Sequence, residues 1–205
     1  MRAAAAAGAP YAGRMEILST SEKRYVLYRV AEPSADAGPA RAAVYLDSSI
    51  LSYLTSRLSL DITTASRQQA TRTWWRDHRY SFDLFVSVRV LDEVGAGDAA
   101  AAHMRLRAAA GIDRLDVTED CDLLTEQLLM HAGLPMKAVV DATHIAIAAV
   151  HGMQYLLTWN FKHLANAQIS RRVVQTCELS GFRSPKICTP DDLMRAFTHE
   201  RSDPR

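Results

Sequence analysis

From residue 42 onward, short strand-like segments alternate with segments of helical period, and this alternation limits the fold more than any other feature. AAVYL, DLFVSV (Asp83 to Val88), RLDV (Arg114 to Val117), QYLLT (Gln154 to Thr158) and KIC read as strands. Between and beyond them, SSILSYLTSR with Ser48 as N-cap, TASRQQATRTWWRDHR (Thr64 to Arg79), RVLDEV, DAAAAHMRLRAAA and EDCDLLTEQLLMHAG read as helices, as do AVVDATHIAIAAVH, AQISRRVVQTCEL and PDDLMRAF. Gly133 suits a helix C-terminus, and Pro135 suits the first position of the helix that runs to Gly152. Strands alternating with helices build a parallel sheet covered on both faces. No internal repeat is visible.

Residues 1–41 have another character: an Ala/Gly/Pro head, a strand-like RYVLYRV (Arg24 to Val30), then the linker-like AEPSADAGPAR. The expected organisation is a partly disordered extension and linker over 1–41, an α/β domain over 42–198 and a tail over 199–205. With 205 residues, 48% of them hydrophobic, the chain can bury a substantial core. A net charge of +1 gives no global attraction for a polyanion, so any anionic partner must be met locally. Cys121, Cys177 and Cys188 are scattered without a C-x-x-C pair, which argues against a disulfide framework and a structural zinc site. No apolar run approaches the roughly 20 residues of a bilayer span. MRAAAAAGAP is too short and weakly apolar for a signal sequence, so the expected setting is cytoplasmic.

Asp47 follows the buried-looking strand AAVYL with no turn residue between, and an unpartnered carboxylate there is costly. In an open parallel sheet the ligand site lies at the carboxyl ends of the strands. Glu93 lies in the first turns of the helix leaving DLFVSV, and Asn160 follows QYLLT by two residues, both on that edge. Asp141 sits near the start of a helix that runs antiparallel to QYLLT, so it reaches the same edge. Two like charges at 4 Å repel by about 4 kcal/mol at an effective dielectric of 20. A divalent cation such as magnesium resolves that repulsion, and such sites hydrolyse phosphodiesters.

VYLDSSIL, VSVRVLDEVGAGD, DATHIAIAAV and YLLTWNFKHLANA, in that order, resemble the PIN-domain ribonucleases, specifically the VapC-like toxins of type II toxin–antitoxin systems, over roughly residues 42–195. The resemblance implies a three-layer α/β/α sandwich with a mainly parallel central sheet. It also implies Mg2+- or Mn2+-dependent endonucleolytic cleavage of RNA, a cognate antitoxin and a homodimer. Asp47, Glu93 and Asp141 match the three acidic metal positions, and Asn160 matches a fourth catalytic position that is Asp in many members. Ser49 matches a hydroxyl position beside the first acid, and Thr158 is a further supporting residue. Asn keeps an acceptor oxygen but loses a charge, so one well-held ion is the expectation.

Each of these residues has a plainer reading. Asp47 could cap a helix, Asp141 could balance a helix dipole, and Asn160 could cap the FKHL turn. His144, three residues after Asp141, reads as a structural, hydrogen-bonded histidine rather than a ligand. Arg67, Arg72, Arg76 and Arg79 read as a solvated helix face, complicated by Trp74 and Trp75. Lys162, His163, Arg171 and Arg172 are candidate RNA contacts. Arg72 to His78 matches the loose R-x5-H spacing of an all-helical ribonuclease class, which the strands oppose. A phosphatase D-x-D signature would need an acid where Ser49 stands. A catalytically silent PIN scaffold that binds RNA or a protein is the remaining alternative, and Asn160 invites it.

Overall fold

The computed structural model describes residues 41–160 and 167–202 and, before them, two strands. Two compact units result, Met1–Ala40 and Arg41–Arg205. In the first, β1 (Met15–Thr20) and β2 (Lys23–Tyr28) pair antiparallel, with Met15 opposite Tyr28.

The second unit runs β3 (Ala42–Leu46), α1 (Ser48–Thr55), α2 (Ile62–Asp77), β4 (Phe82–Ser87), α3 (Val88–Gly95), α4 (Ala99–Ala109), β5 (Asp113–Leu115) and α5 (Glu119–His131). It continues through α6 (Val139–Val150), β6 (Tyr155–Leu157), α7 (Ala167–Leu179), β7 (Lys186–Cys188) and α8 (Pro190–Ser202). The sheet order is β5-β4-β3-β6-β7, and every pairing is parallel. Right-handed crossovers explain the layers. The chain steps from β3 to β4 to β5 in one direction, then returns past β3 to β6 and β7, so α5, α6 and α7 fall on the other face, and α8, after β7, returns to the first. Accordingly α1 packs with α2, α3 and α4, and α2 with α8, whereas α5 packs with α6 and α7. This is the expected three-layer α/β/α sandwich around a parallel central sheet. The direction of travel reverses between β3 and β6, so the connections leaving their paired carboxyl ends turn to opposite faces and leave a crevice between them.

The core explains the near-continuous apolar runs. Val44, Tyr45 and Leu46 of β3 and Leu157 of β6 are fully buried, as a sheet covered on both faces requires. Helix α6 is buried at Ala142 and from His144 to Ala149, its alanines allowing close approach by its neighbours. Trp74 points inward from α2, while Trp75 is half-buried.

Some boundaries differ from expectation. Asp61 caps α2 by accepting from the Thr64 amide at 2.8 Å, so that helix starts two residues before Thr64. Ser87 caps α3 through its hydroxyl, which ends β4 one residue early. Asp47, not Ser48, occupies the N-cap position of α1. A 3-10 turn over Met136–Ala138 precedes α6, so Pro135 does not open the α-helix and Asp141 falls in its first turn. Among the described residues no helix is long and apolar enough to cross a membrane.

Candidate metal centre

Asp47 leaves the end of β3 at the crevice. It is 5% exposed, and its amide is tied to the Leu157 carbonyl of β6 at 3.0 Å. Its side chain makes no capping bond to α1. Instead it accepts from three hydroxyls: Ser48 at 3.2 Å on Oδ1, and Ser49 at 2.7 Å and Thr158 at 2.5 Å on Oδ2. Hydroxyl donors on both oxygens explain how a carboxylate survives at a core position, where an unpaired one would cost several kcal/mol. Both supporting residues named from the sequence, Ser49 and Thr158, thus bear on Asp47. Ser49 also accepts the Trp159 amide at 3.0 Å, locking α1 to the exit of β6.

Glu93 arrives from β4 by way of α3. It is half-buried while its neighbour Asp92 is exposed, which settles which of the two faces the crevice edge. Arg89, one turn earlier, stands 3.8 Å from its Oε1.

The third group here is His144. Its ring is almost wholly buried, with Nε2 3.2 Å from Glu93 Oε1 and 3.7 Å from Asp47 Oδ1. On its other side Nδ1 lies 2.9 Å from the Tyr45 hydroxyl, which lies 2.7 Å from the Ser87 hydroxyl. Tyr45 precedes Asp47 by two residues, and strand period places them on the same face. Burial disfavours the His144 imidazolium, but the hydrogen bond to Glu93 and the charges of Asp47, Glu93 and Asp141 outweigh it and raise the pKa. Partial burial works likewise against the Glu93 carboxylate, and the hydrogen bond from His144 with the charges of His144 and Arg89 outweighs it, lowering the pKa. Burial pushes the Tyr45 phenol far up, so it remains a neutral hydroxyl.

One ligand atom each from Asp47, Glu93 and His144 lies within 4.8 Å of the other two, a cluster capable of coordinating a divalent metal. The donor chemistry fits: two carboxylates supply two negative charges and the imidazole a neutral nitrogen. Asp141 and Asn160 line the same small cleft as Asp47, His144, Leu156 and Thr158. They also meet each other, the Asn160 side-chain amide donating to Asp141 Oδ1 at 2.5 Å, while the Asn160 backbone amide donates to the Thr158 hydroxyl. Of the four convergent residues read from the sequence, all reach this rim. The histidine read as purely structural lies between two of them, and sequence offered one faint signal: an imidazole on so apolar a helix needs polar partners on both nitrogens.

The candidate RNA contacts fare differently. Lys162 and His163 lie outside the described residues. Arg171 and Arg172 are exposed on α7. A guanidinium nitrogen of Arg172 lies 3.0 Å from where a Cβ on Gly133 would stand, so this side chain lies against the end of α5. Arg72 donates to the carbonyls of Leu54 and Ser56 at the end of α1, so its guanidinium joins α1 to α2, while the His78 backbone amide closes α2.

Among solved structures, the chain is similar to VapC20 of Mycobacterium tuberculosis, a sarcin–ricin loop cleaving toxin, at 18% identity. That likeness covers 60% of this chain and 93% of that one, with a TM-score of 0.47. It is also similar to VapBC2 of Rickettsia felis, bound to a DNA fragment from their promoter, at 13% identity over 72% of this chain and 98% of that one, with a TM-score of 0.41. No protein-family model and no curated protein matches the chain.

Proposed function

We propose that this chain is a metal-dependent endoribonuclease of the VapC-like PIN type, the toxin of a toxin–antitoxin pair, acting in the cytoplasm as a homodimer under a cognate antitoxin. Residues 42–198 would form the nuclease domain, with 1–41 as an extension and 199–205 as a tail. The single observation that carries this reading is the convergence of Asp47 and Glu93 on His144 at the crevice between β3 and β6. The four sequence blocks that resemble the family support it. A bound Mg2+ or Mn2+ would activate water and offset the charge that builds on the phosphate during in-line displacement.

The protein's own part is to bind and orient. Asp47 and Glu93 would anchor the ion, with Asp141 and His144 beside it. Ser49 and Thr158 fix the Asp47 carboxylate through its Oδ2, leaving Oδ1 the less crowded oxygen. Asn160 steadies Asp141 at the mouth of the cleft. Lys162, His163, Arg171 and Arg172 would meet substrate phosphates. RNA cleavage by the purified chain with Mn2+ or Mg2+ tests this, with EDTA and Asp47→Asn as controls. Metal-dependent cleavage lost in the variant supports the reading, and no cleavage of any RNA by folded, antitoxin-free protein opposes it.

One observation favours a second reading, a silent scaffold that binds RNA or a protein. A neutral amide stands at position 160 and occupies an oxygen of Asp141. Under that reading Asn160→Asp would create cleavage where the parent has none.

A further inference from the structure

We propose that the third protein ligand of the ion is His144 Nε2 rather than Asp141, and that the resulting two-oxygen, one-nitrogen site selects first-row transition ions such as Mn2+ and Co2+ over Mg2+. This rests on the metal site proposed above.

Position is the first support. His144 Nε2 stands 3.2 and 3.7 Å from the two carboxylates that anchor the site, and the three donor atoms form the compact set. Asp141, by contrast, has its Oδ1 covered by an amide donor from Asn160. A donor hydrogen aimed at a carboxylate oxygen competes with a cation for the same lone pairs.

The second support lies behind the ring. Tyr45 and Ser87 are wholly buried and His144 is 4% exposed, yet their polar atoms form one line from Ser87 to Tyr45 to Nδ1. Packing alone would be served by apolar side chains here, since each buried polar group must be satisfied at a cost. Metal-ligating histidines characteristically donate their second N–H to such a partner, which fixes the tautomer and the ring orientation. With Nδ1–H donating to the Tyr45 oxygen, and the Tyr45 hydroxyl donating to Ser87 Oγ, Nε2 presents a lone pair toward Asp47 and Glu93. The Ser87 oxygen is itself held by the Val90 amide at 3.2 Å, so the line is anchored on β4 and α3.

Ligand chemistry sets the ion. Carboxylate and water ligands suit Mg2+, whereas imidazole nitrogen favours later divalent ions, with affinity rising from Mn2+ toward Co2+ and Ni2+. Two carboxylates and one neutral imidazole also balance a divalent charge, which three carboxylates would exceed.

Calorimetric titration with Mn2+ and Mg2+, together with pulsed electron paramagnetic resonance of bound Mn2+, tests this without any RNA. The parent is expected to bind Mn2+ at least tenfold more tightly than Mg2+ and to show nitrogen coupling from an imidazole. His144→Gln should lose that coupling and most of the discrimination, while Asp141→Asn should keep both. Tyr45→Phe, which leaves His144 in place, should weaken Mn2+ by about 10- to 100-fold with its circular dichroism unchanged. Mn2+ bound without nitrogen coupling, or unchanged discrimination in His144→Gln, overturns the inference and leaves the metal site standing. A parent chain that binds neither ion overturns the site itself, and the inference with it.

Discussion

On α2 and in the 3-10 turn Arg79–Ser81 that follows it, the arginines have partners within the domain. Arg72 holds the end of α1, Arg79 lies over the rings of both Trp75 and Tyr80, Arg76 pairs with Asp77, and Arg67 stands 5.6 Å from the Trp159 ring centre. At the carboxyl edge of the sheet, Asp47, Glu93 and His144 instead face one another across a few ångströms. Both regions are rich in charge, and the second gathers two carboxylates around one imidazole, an excess of negative charge that a proton on His144 or a cation would balance. Charge density therefore says little about function until the partners are known. Charges with intramolecular partners hold structure, and charges turned on each other call for a proton or a cation.

Breaking the rim should have the largest effect. Asp47→Asn should lower RNA cleavage on the order of a thousandfold, about 4 kcal/mol, with the fold retained, as compared by cleavage rate and circular dichroism. The α2 side should respond in stability instead. Gln68, 2% exposed, accepts the Ser59 amide and donates to Ser56 and Arg57, holding the loop between α1 and α2. Gln68→Ala should cost about 2 to 3 kcal/mol in denaturant unfolding and leave cleavage by the folded fraction unchanged. Arg72→Ala should cost about 1 kcal/mol and likewise spare cleavage, which also disposes of the R-x5-H motif as a catalytic pair.

A pH series sharpens the contrast. His144 is raised above its ordinary 6.5, so its contribution to stability is full below that value and is lost as pH rises through the folded pKa. Glu93 is lowered below its ordinary 4.5, so its contribution is present above that value and is lost as pH falls through the folded pKa. Metal-free protein should therefore be most stable between the two, and His144→Gln should flatten the alkaline arm of its melting profile. The smallest effect belongs to the exposed Arg76 and Asp77 pair on α2: Arg76→Ala should leave the melting temperature and cleavage unmoved.

Legibility in the sequence followed the range of the interactions. Parallel strands buried on both faces leave apolar runs such as AAVYL, and those runs with the helices between them made the sandwich readable. Strand-end logic also placed Asp47 and Glu93 on one edge, and β-strand and helix polarity brought Asp141 and Asn160 to it. What could not be read depends on contacts distant in sequence. The Tyr45 hydroxyl that defines the environment of His144 lies 99 residues away from it, and a hydrogen-bonded histidine and a ligand look alike in sequence. The same holds for Arg72, whose partners belong to another helix. Even locally, the 3-10 turn after Pro135 shows that a favourable first-turn residue need not open an α-helix.

The contrast between the two regions turns on the proposal that the rim holds a cation. Mn2+ titration of the parent chain beside Asp47→Asn, followed by calorimetry and by melting temperature, tests this most directly. The account predicts saturable binding with a raised melting temperature in the parent, and binding weakened at least about a hundredfold in the variant. Equal binding by both chains, or none by the parent, would contradict it.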